Sequence, residues 1–292
     1  MSEARASLLA DGRLHLQHGP IDCLCRAEGE AGEIAAAYAQ AQAAFPAILP
    51  ALAAELPHLR APLPTPSPKG AIARAMHAAC MPFAAGFITP MAAVAGAVAD
   101  AVLATMIEGR TLTRAFVNNG GDIAFHLAPG ATLRAGLVAD LAAPALDGVF
   151  LLEADLPARG LATSGRACKG AGGKSFSLGI ADATSVLARN AAAADAAATM
   201  IGNAVDLPGH PAIRRRPACE IDAASDLDER LVTVALGDLA PAEIRAALDA
   251  GRQFAEALHR AGLIAGAVLA LRGVIATVLP ARQDTIPFLE VA

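Results

Sequence analysis

The chain has 292 residues, a net charge of −5 from 23 Lys and Arg against 28 Asp and Glu, and a hydrophobic fraction of 55% with only 3% aromatics and no Trp. That length admits one large domain or two modest ones with a substantial core, and mild acidity without a basic stripe argues against a nucleic-acid partner. The hydropathy comes from alanine: residues 83–107 are interrupted by Thr89-Pro90 and Asp100, and residues 262–279 by Arg272-Gly273, so no membrane span is expected.

In chain order, alternation over residues 13–17, the turn Gly19-Pro20 and the run Ile21–Cys25 predict a hairpin. A helix is expected over 30–45, broken by Pro46 and Pro50, and Pro62, Pro64, Pro66 and Pro68 make a stiff connector. Two alanine-rich helices follow at 70–80 and 90–108, the second with Pro90 placed for a first turn. Short runs at 114–118, 122–127, 132–138, 148–153, 176–180 and 185–188 read as strands of a largely antiparallel sheet. A helix at 190–203, an acidic loop at 220–229, a strand at 231–236, a helix at 241–259 and a hairpin of 263–271 with 274–279 complete the chain. Arg214-Arg215-Arg216 reads as a solvated loop. Elements of each kind cluster rather than alternate, which predicts an α+β fold: one domain over 1–292, with sub-halves 1–110 and 111–292 as an alternative division.

The cysteines Cys23, Cys25, Cys80, Cys168 and Cys219 lack zinc-site spacing, and Cys23-x-Cys25 on alternating strand positions reads as two buried thiols. Only a short apolar patch precedes Asp11, so no secretory signal is expected and a reduced, cytoplasmic protein fits.

Three segments carry candidate chemistry. In Ala193-Ala194-Asp195-Ala196-Ala197-Ala198-Thr199-Met200-Ile201, the i, i+4 spacing puts Asp195 and Thr199 on one helix face. Two hard oxygen donors there suit Mg²⁺ arriving with a substrate phosphate, although such pairs also occur on ordinary helices. An echo, Ala99-Asp100-Ala101-Val102-Leu103-Ala104-Thr105, carries one extra residue, which places Thr105 about 140° around the helix from Asp100; only the second copy is chelation-competent. Val117-Asn118-Asn119-Gly120-Gly121-Asp122-Ile123 offers paired glycines whose N–H groups can hold a phosphate or a ring edge, or else a plain hairpin turn. Ala162-Thr163-Ser164-Gly165 leads into Arg166-Ala167-Cys168-Lys169-Gly170-Ala171-Gly172-Gly173-Lys174-Ser175. This stretch lacks the first glycine of a P-loop, at Cys168, but Arg166, Lys169 or Lys174 can meet an anion.

The ordered succession Ala93-Val94-Ala95-Gly96, Val117–Ile123, Thr163-Ser164-Gly165 and Ala194–Thr199 resembles the ApbE superfamily, the FAD:protein FMN transferases, in a shorter branch, over residues 85–205. The resemblance implies Mg²⁺ on Asp195, Thr199 and a backbone carbonyl at Ala95. It implies a flavin nucleotide, FAD, against Asn118, Gly120, Gly121, Asp122, Ser164 and Gly165. It also implies a flavin-acceptor protein as the partner of any transfer. Residues 175–182 stand where the transferases carry His-Ile-Ile-Asp-Pro, and the Lys between Ala95 and Gly96 is absent. Two further readings therefore stand beside transfer: a silent flavin-binding or assembly protein, and a metal-dependent hydrolase of another phosphorylated metabolite. His126 is a substitute base or a half-exposed strand histidine. The helix at 90–108 packs in a homodimer or inside the core.

Overall fold

Alternating apolar residues build the first sheet. The computed structural model describes residues 3–139, 146–166, 176–279 and 288–290, and its contacts divide the chain into two units. The first unit takes Met1–Arg134, Leu151–Ala162 and Ala188–Ala196; the second takes Ala135–Phe150, Thr163–Leu187 and Ala197–Ala292.

The first unit opens with β1 (Arg5–Leu8), β2 (Leu14–His18) and β3 (Ile21–Gly29). Leu14, Leu16 and His18 of β2 and Ile21, Cys23, Cys25 and Ala27 of β3 point inward, as period two requires. The hairpin expected at Gly19-Pro20 closes with His18 opposite Ile21. Strand β1 was not legible, because all four of its residues are exposed and it is held by pairing with β2. Helix α1 (Ala31–Ala44) runs into a 3-10 turn at Phe45–Ala47, then α2 (Ile48–Ala54) and α3 (Leu56–Leu59). As expected, α1 stops before Pro46, which lies in the 3-10 turn, whereas Pro50 sits in the first turn of α2, where a missing N–H costs no helical bond. Then come α4 (Ala71–Cys80), a 3-10 turn at Pro90–Ala93, α5 (Val94–Ile107), β4 (Leu112–Asn119) and β5 (Asp122–Leu127). The chain continues through β6 (Thr132–Leu137) and β7 (Gly148–Glu153) to β8 (Gly160–Ser164). In the first unit the strand order is β1-β2-β3-β4-β5-β8, antiparallel throughout. Helix α5 lies on β4 and β5 and against α1.

Pro90–Ile107 has the length and apolarity of a membrane span, and half of it is buried. Gly96, Ala97, Val98, Ala99, Val102, Leu103 and Met106 make it the core helix of the first unit.

Next in the chain are β9 (Ala183–Ala188), α6 (Ala191–Ala204), β10 (Ile213–Pro217), β11 (Leu231–Leu236), α7 (Pro241–Arg260), β12 (Gly266–Leu271), β13 (Val274–Val278) and β14 (Phe288–Glu290). In the second unit β12 pairs with β9 and β13, with α7 packed on β12 and β13. Two expectations are corrected there. Residues 176–180 form no strand, and Arg214-Arg215-Arg216 belongs to β10, paired with β11 rather than looping into solvent. On this two-stranded ribbon Arg214 and Arg216 are exposed on one face while Arg215 is half-buried on the other and pairs with Asp206, a division that a charge run conceals in sequence. Antiparallel sheets with packed helices make the fold α+β.

Alanine and glycine allow the start of α6 to press into the first unit. A Cβ on Gly96 would lie 2.2 Å from the Ala191 carbonyl oxygen, and one on Gly160 would lie 2.1 Å from the Asn190 carbonyl carbon. Gly96→Ala is therefore expected to destabilise the protein by about 1–3 kcal/mol through overpacking. Gly32→Ala, on the open side of α1 with nothing within 4 Å, is expected to gain roughly 0.5–1 kcal/mol. Urea unfolding midpoints of the two variants check the contrast.

Candidate functional site

Two helices in the first unit start against one another, and each is capped by a carboxylate of the other. Asp195, on α6, accepts the Gly96 N–H at 3.0 Å on Oδ2, and the Ala95 N–H also bonds to it. Asp100, on α5, accepts the Ala191 and Ala192 N–H groups, each at 2.9 Å, one on each oxygen. A helix's first N–H groups have no partner within the helix and carry its positive dipole end, so an anion is favoured there twice over. Asn190 completes the start of α6 by accepting the Ala193 N–H at 2.9 Å.

The echo seen in the sequence is thus structural: Asp100 and Asp195 hold equivalent places in a reciprocal clasp. Their threonines differ. Thr105 donates its hydroxyl to the Ala101 carbonyl at 3.0 Å within its own helix, while Thr199 follows Asp195 by one turn of α6.

Both aspartates are half-buried. The protein packed around Asp195 strips water from the carboxylate and pushes its pKa up to about 7; the Gly96 and Ala95 N–H groups oppose that rise, and the charge of Asp100 adds to it. Asp100 is also raised by burial, against the pull of the Ala192 and Ala191 N–H groups. Cys80 is buried, and its thiol is raised by desolvation and then by Asp195. It stays protonated and acts as apolar lining.

The β4–β5 turn accounts for both glycines. Asn119 faces Asp122 across it, and Gly120 and Gly121 have φ of 66° and 109°, as a two-residue hairpin turn with positive φ at both central positions requires. Asn118 accepts the Gly121 N–H at 2.8 Å on Oδ1. A Cβ on either glycine would meet nothing within 4 Å, so the turn's outer side is open. Asn119, the position not named within the motif, reaches inward: it donates to the Ala95 carbonyl at 3.1 Å and accepts the Asp22 N–H at 3.3 Å. Asp122 is buried at the start of β5, and His126 is a half-buried strand histidine.

Of the expected site residues, Ala95, Asn118, Gly120, Gly121, Asp122 and Asp195 fall in the first unit. Ser164, Gly165 and Thr199 belong to the second unit. Cys168, Lys169 and Lys174 lie outside the described residues. Asp100 and Asn119 were missed. Strand alternation could have found Asn119, since it shares the buried phase of Ala115 and Val117. Asp100 was visible in the echo but was weighed there only as a chelator.

For a cation, the first unit offers the Asp195 carboxylate, while the Ala95 carbonyl lies inside α5 and already accepts the Asn119 amide. The carboxylate oxygens are hard donors of the kind Mg²⁺ takes, with most of its remaining sites left to water or ligand phosphate. Among the described residues, Cys219, Asp228 and Glu229 of the second unit also bring three metal-ligating atoms within 4.8 Å of one another. Both carboxylates there are exposed.

Asp100→Ala leaves two N–H donors of buried residues without their acceptor and is expected to cost about 3 kcal/mol, with Asp100→Asn, which keeps one acceptor oxygen, costing roughly half that. Urea unfolding measures both. The pH dependence follows from Asp195. Its folded pKa near 7 lies above the unfolded value of about 3.9, so its contribution is fully present below pH about 4 and is lost as pH rises through about 7. Wild-type stability is expected to decline across that window relative to Asp195→Asn, in unfolding curves taken at both ends.

Residues 6–277 match the model of the family described as AbpE bacteria. Over 126 residues the chain is 36% identical to a UPF0280 protein of Methanococcoides burtonii, which covers 43% of this chain and 49% of that one. It is 37% identical over 127 residues to a UPF0280 protein of Methanothrix thermoacetophila, covering 40% and 46% of the two chains. A UPF0280 protein of Methanosarcina barkeri is 34% identical over 127 residues, covering 41% and 44%. The matches thus span about half the length of these curated relatives. With the family match running over most of its length, the chain belongs to the AbpE bacteria family, related to ApbE.

Proposed function

We propose that the protein binds a flavin nucleotide, FAD, together with Mg²⁺ held by Asp195, Thr199 and the Ala95 carbonyl, and that it acts on the FAD pyrophosphate by FMN transfer or cleavage. The observation that carries this reading is the Asp195 carboxylate: half-buried, short of water, and set against the first-turn N–H groups of α5. A divalent cation would offset the desolvation that raises its pKa, and perturbed carboxylates in such surroundings mark functional sites. Bound there, Mg²⁺ would neutralise charge on pyrophosphate oxygens during attack at phosphorus. The chain's own groups bind and orient. The Gly120-Gly121 turn, open on its outer side, leaves room for a nucleotide, and Asn119 holds the Ala95 carbonyl in place.

A second reading, binding without transfer, draws on residues 176–182. Ile180 and Ala181 are buried, and Asp182 accepts the Arg272 N–H at 2.6 Å on Oδ2. The described part of this interval therefore contributes no histidine, and its one carboxylate is structurally engaged. A metal-dependent hydrolase of another phosphorylated metabolite would use the same cation and differ only in what lies beside it.

Titration of wild type and Asp195→Ala with FAD, with and without Mg²⁺, tests the site. Wild type is expected to bind FAD more tightly with Mg²⁺, and Asp195→Ala to lose about tenfold or more in affinity, the scale of a charge-assisted contact. Equal affinity of the two proteins sinks the site. AMP released from FAD at high protein concentration supports transfer or cleavage. Mg²⁺-dependent FAD binding without AMP favours the binding reading, and phosphate released from other nucleotides favours the hydrolase.

A further inference from the structure

Arg166 follows the Gly165 bend at the end of β8, within the second unit. Its N–H donates to the Ala181 carbonyl at 2.9 Å, which sets it beside Asp182. Asp182 is anchored in turn: its N–H donates to the Ala270 carbonyl at 2.9 Å, and its Oδ2 accepts the Arg272 N–H at 2.6 Å. Arg272 has a φ of 51° and directs its guanidinium to the Leu236 and Gly237 carbonyls, at 2.8 and 3.0 Å. The bend admits only glycine at 165. Its φ is 152°, and a Cβ there would lie 2.2 Å from the Asp182 carbonyl oxygen.

The Arg166 side chain is the unmatched part of this arrangement. It is half-buried, yet its guanidinium makes no hydrogen bond or ion pair among the described residues. Burial pulls its pKa below the usual guanidinium range; Asp182 opposes that shift and Arg272 deepens it. Other half-buried arginines are matched: Arg159 donates to the carbonyls of Leu156, Ala158 and Ala154, and Arg215 pairs with Asp206. A guanidinium carries five N–H donors, and no nitrogen of Arg166 is a buried atom without a partner, so its donors face solvent or a ligand. The Arg272 charge also lies close enough to be felt at Arg166.

We propose that Arg166 is an anion-binding residue, holding a phosphoryl group at the Ser164-Gly165-Arg166 bend by the two-pronged contact that a guanidinium makes with phosphate oxygens. That geometry suits Arg and not Lys. The half-buried Ser164 hydroxyl, two residues before it, is a second donor of the right kind. The site needs no metal, and it stands or falls separately from Asp195.

The test is calorimetric titration of the whole chain in EDTA with inorganic pyrophosphate and with ADP. Wild type binds at least one of them, more weakly as salt is raised, and Arg166→Gln weakens that binding about 10- to 100-fold. Arg166→Lys, which keeps the charge and removes the fork, falls between. Arg214→Gln, an exposed arginine on β10, binds as wild type does. Tighter binding of ADP identifies a nucleotide phosphate as the ligand, and equal or tighter binding of pyrophosphate identifies the phosphoryl group alone. Absence of binding to either probe at millimolar concentration overturns the proposal, as does undiminished binding by both Arg166 variants.

Discussion

The reciprocal capping of α5 and α6 is the interaction on which the first unit depends. Asp100 holds the start of α6 and Asp195 holds the start of α5, so neither helix can shift without exposing the other's first N–H groups. Each bond joins a charged acceptor to a backbone donor, the stronger class of hydrogen bond, and each places an anion at a positive dipole end. The contact is close because Gly96 carries no side chain where Ala191 passes. Packing and electrostatics converge on a few residues there.

That arrangement carries an internal tension. Two carboxylates are brought near enough for Asp100 to raise Asp195, in surroundings that already strip water from both. At Asp195 a neutral cap would serve stability alone with a smaller desolvation cost. Retaining that second acid works against the fold at neutral pH, as is common where a group serves binding or catalysis. The proposed cation would relieve the tension, because a positive charge beside Asp195 restores its ionised form.

Much of this was legible where local chemistry decides. The Gly19-Pro20 hairpin, α1, α5, β5 and α6 follow from period, caps and turn residues, and they lie within a residue or a few of expectation. Strand β1 was not legible because none of its side chains is buried; its pairing with β2 supplies what its composition does not. Residues 176–180 have a strand's apolar content, yet Leu178 donates its N–H to the Asn203 side chain and the segment joins no ladder. At the site, Asp195 was readable from its spacing to Thr199, but its hydrogen-bond partners were not. A partner that is a backbone N–H of alanine or glycine leaves no trace in side-chain identity. Asp100 shows the same limit from the other side: its role depends on α6, some ninety residues later in the chain.

The dependence on backbone also bears on chemistry. The groups that fix Asp195 are the N–H groups of Ala95 and Gly96, and those that fix α6 are the N–H groups of Ala191 and Ala192. Every residue except proline carries such a donor, so the clasp tolerates side-chain change wherever the helices can still touch. In the proposed reading, the clasp and the groups that activate an acceptor are therefore separable, because backbone N–H groups fix Asp195 whatever side chains surround it.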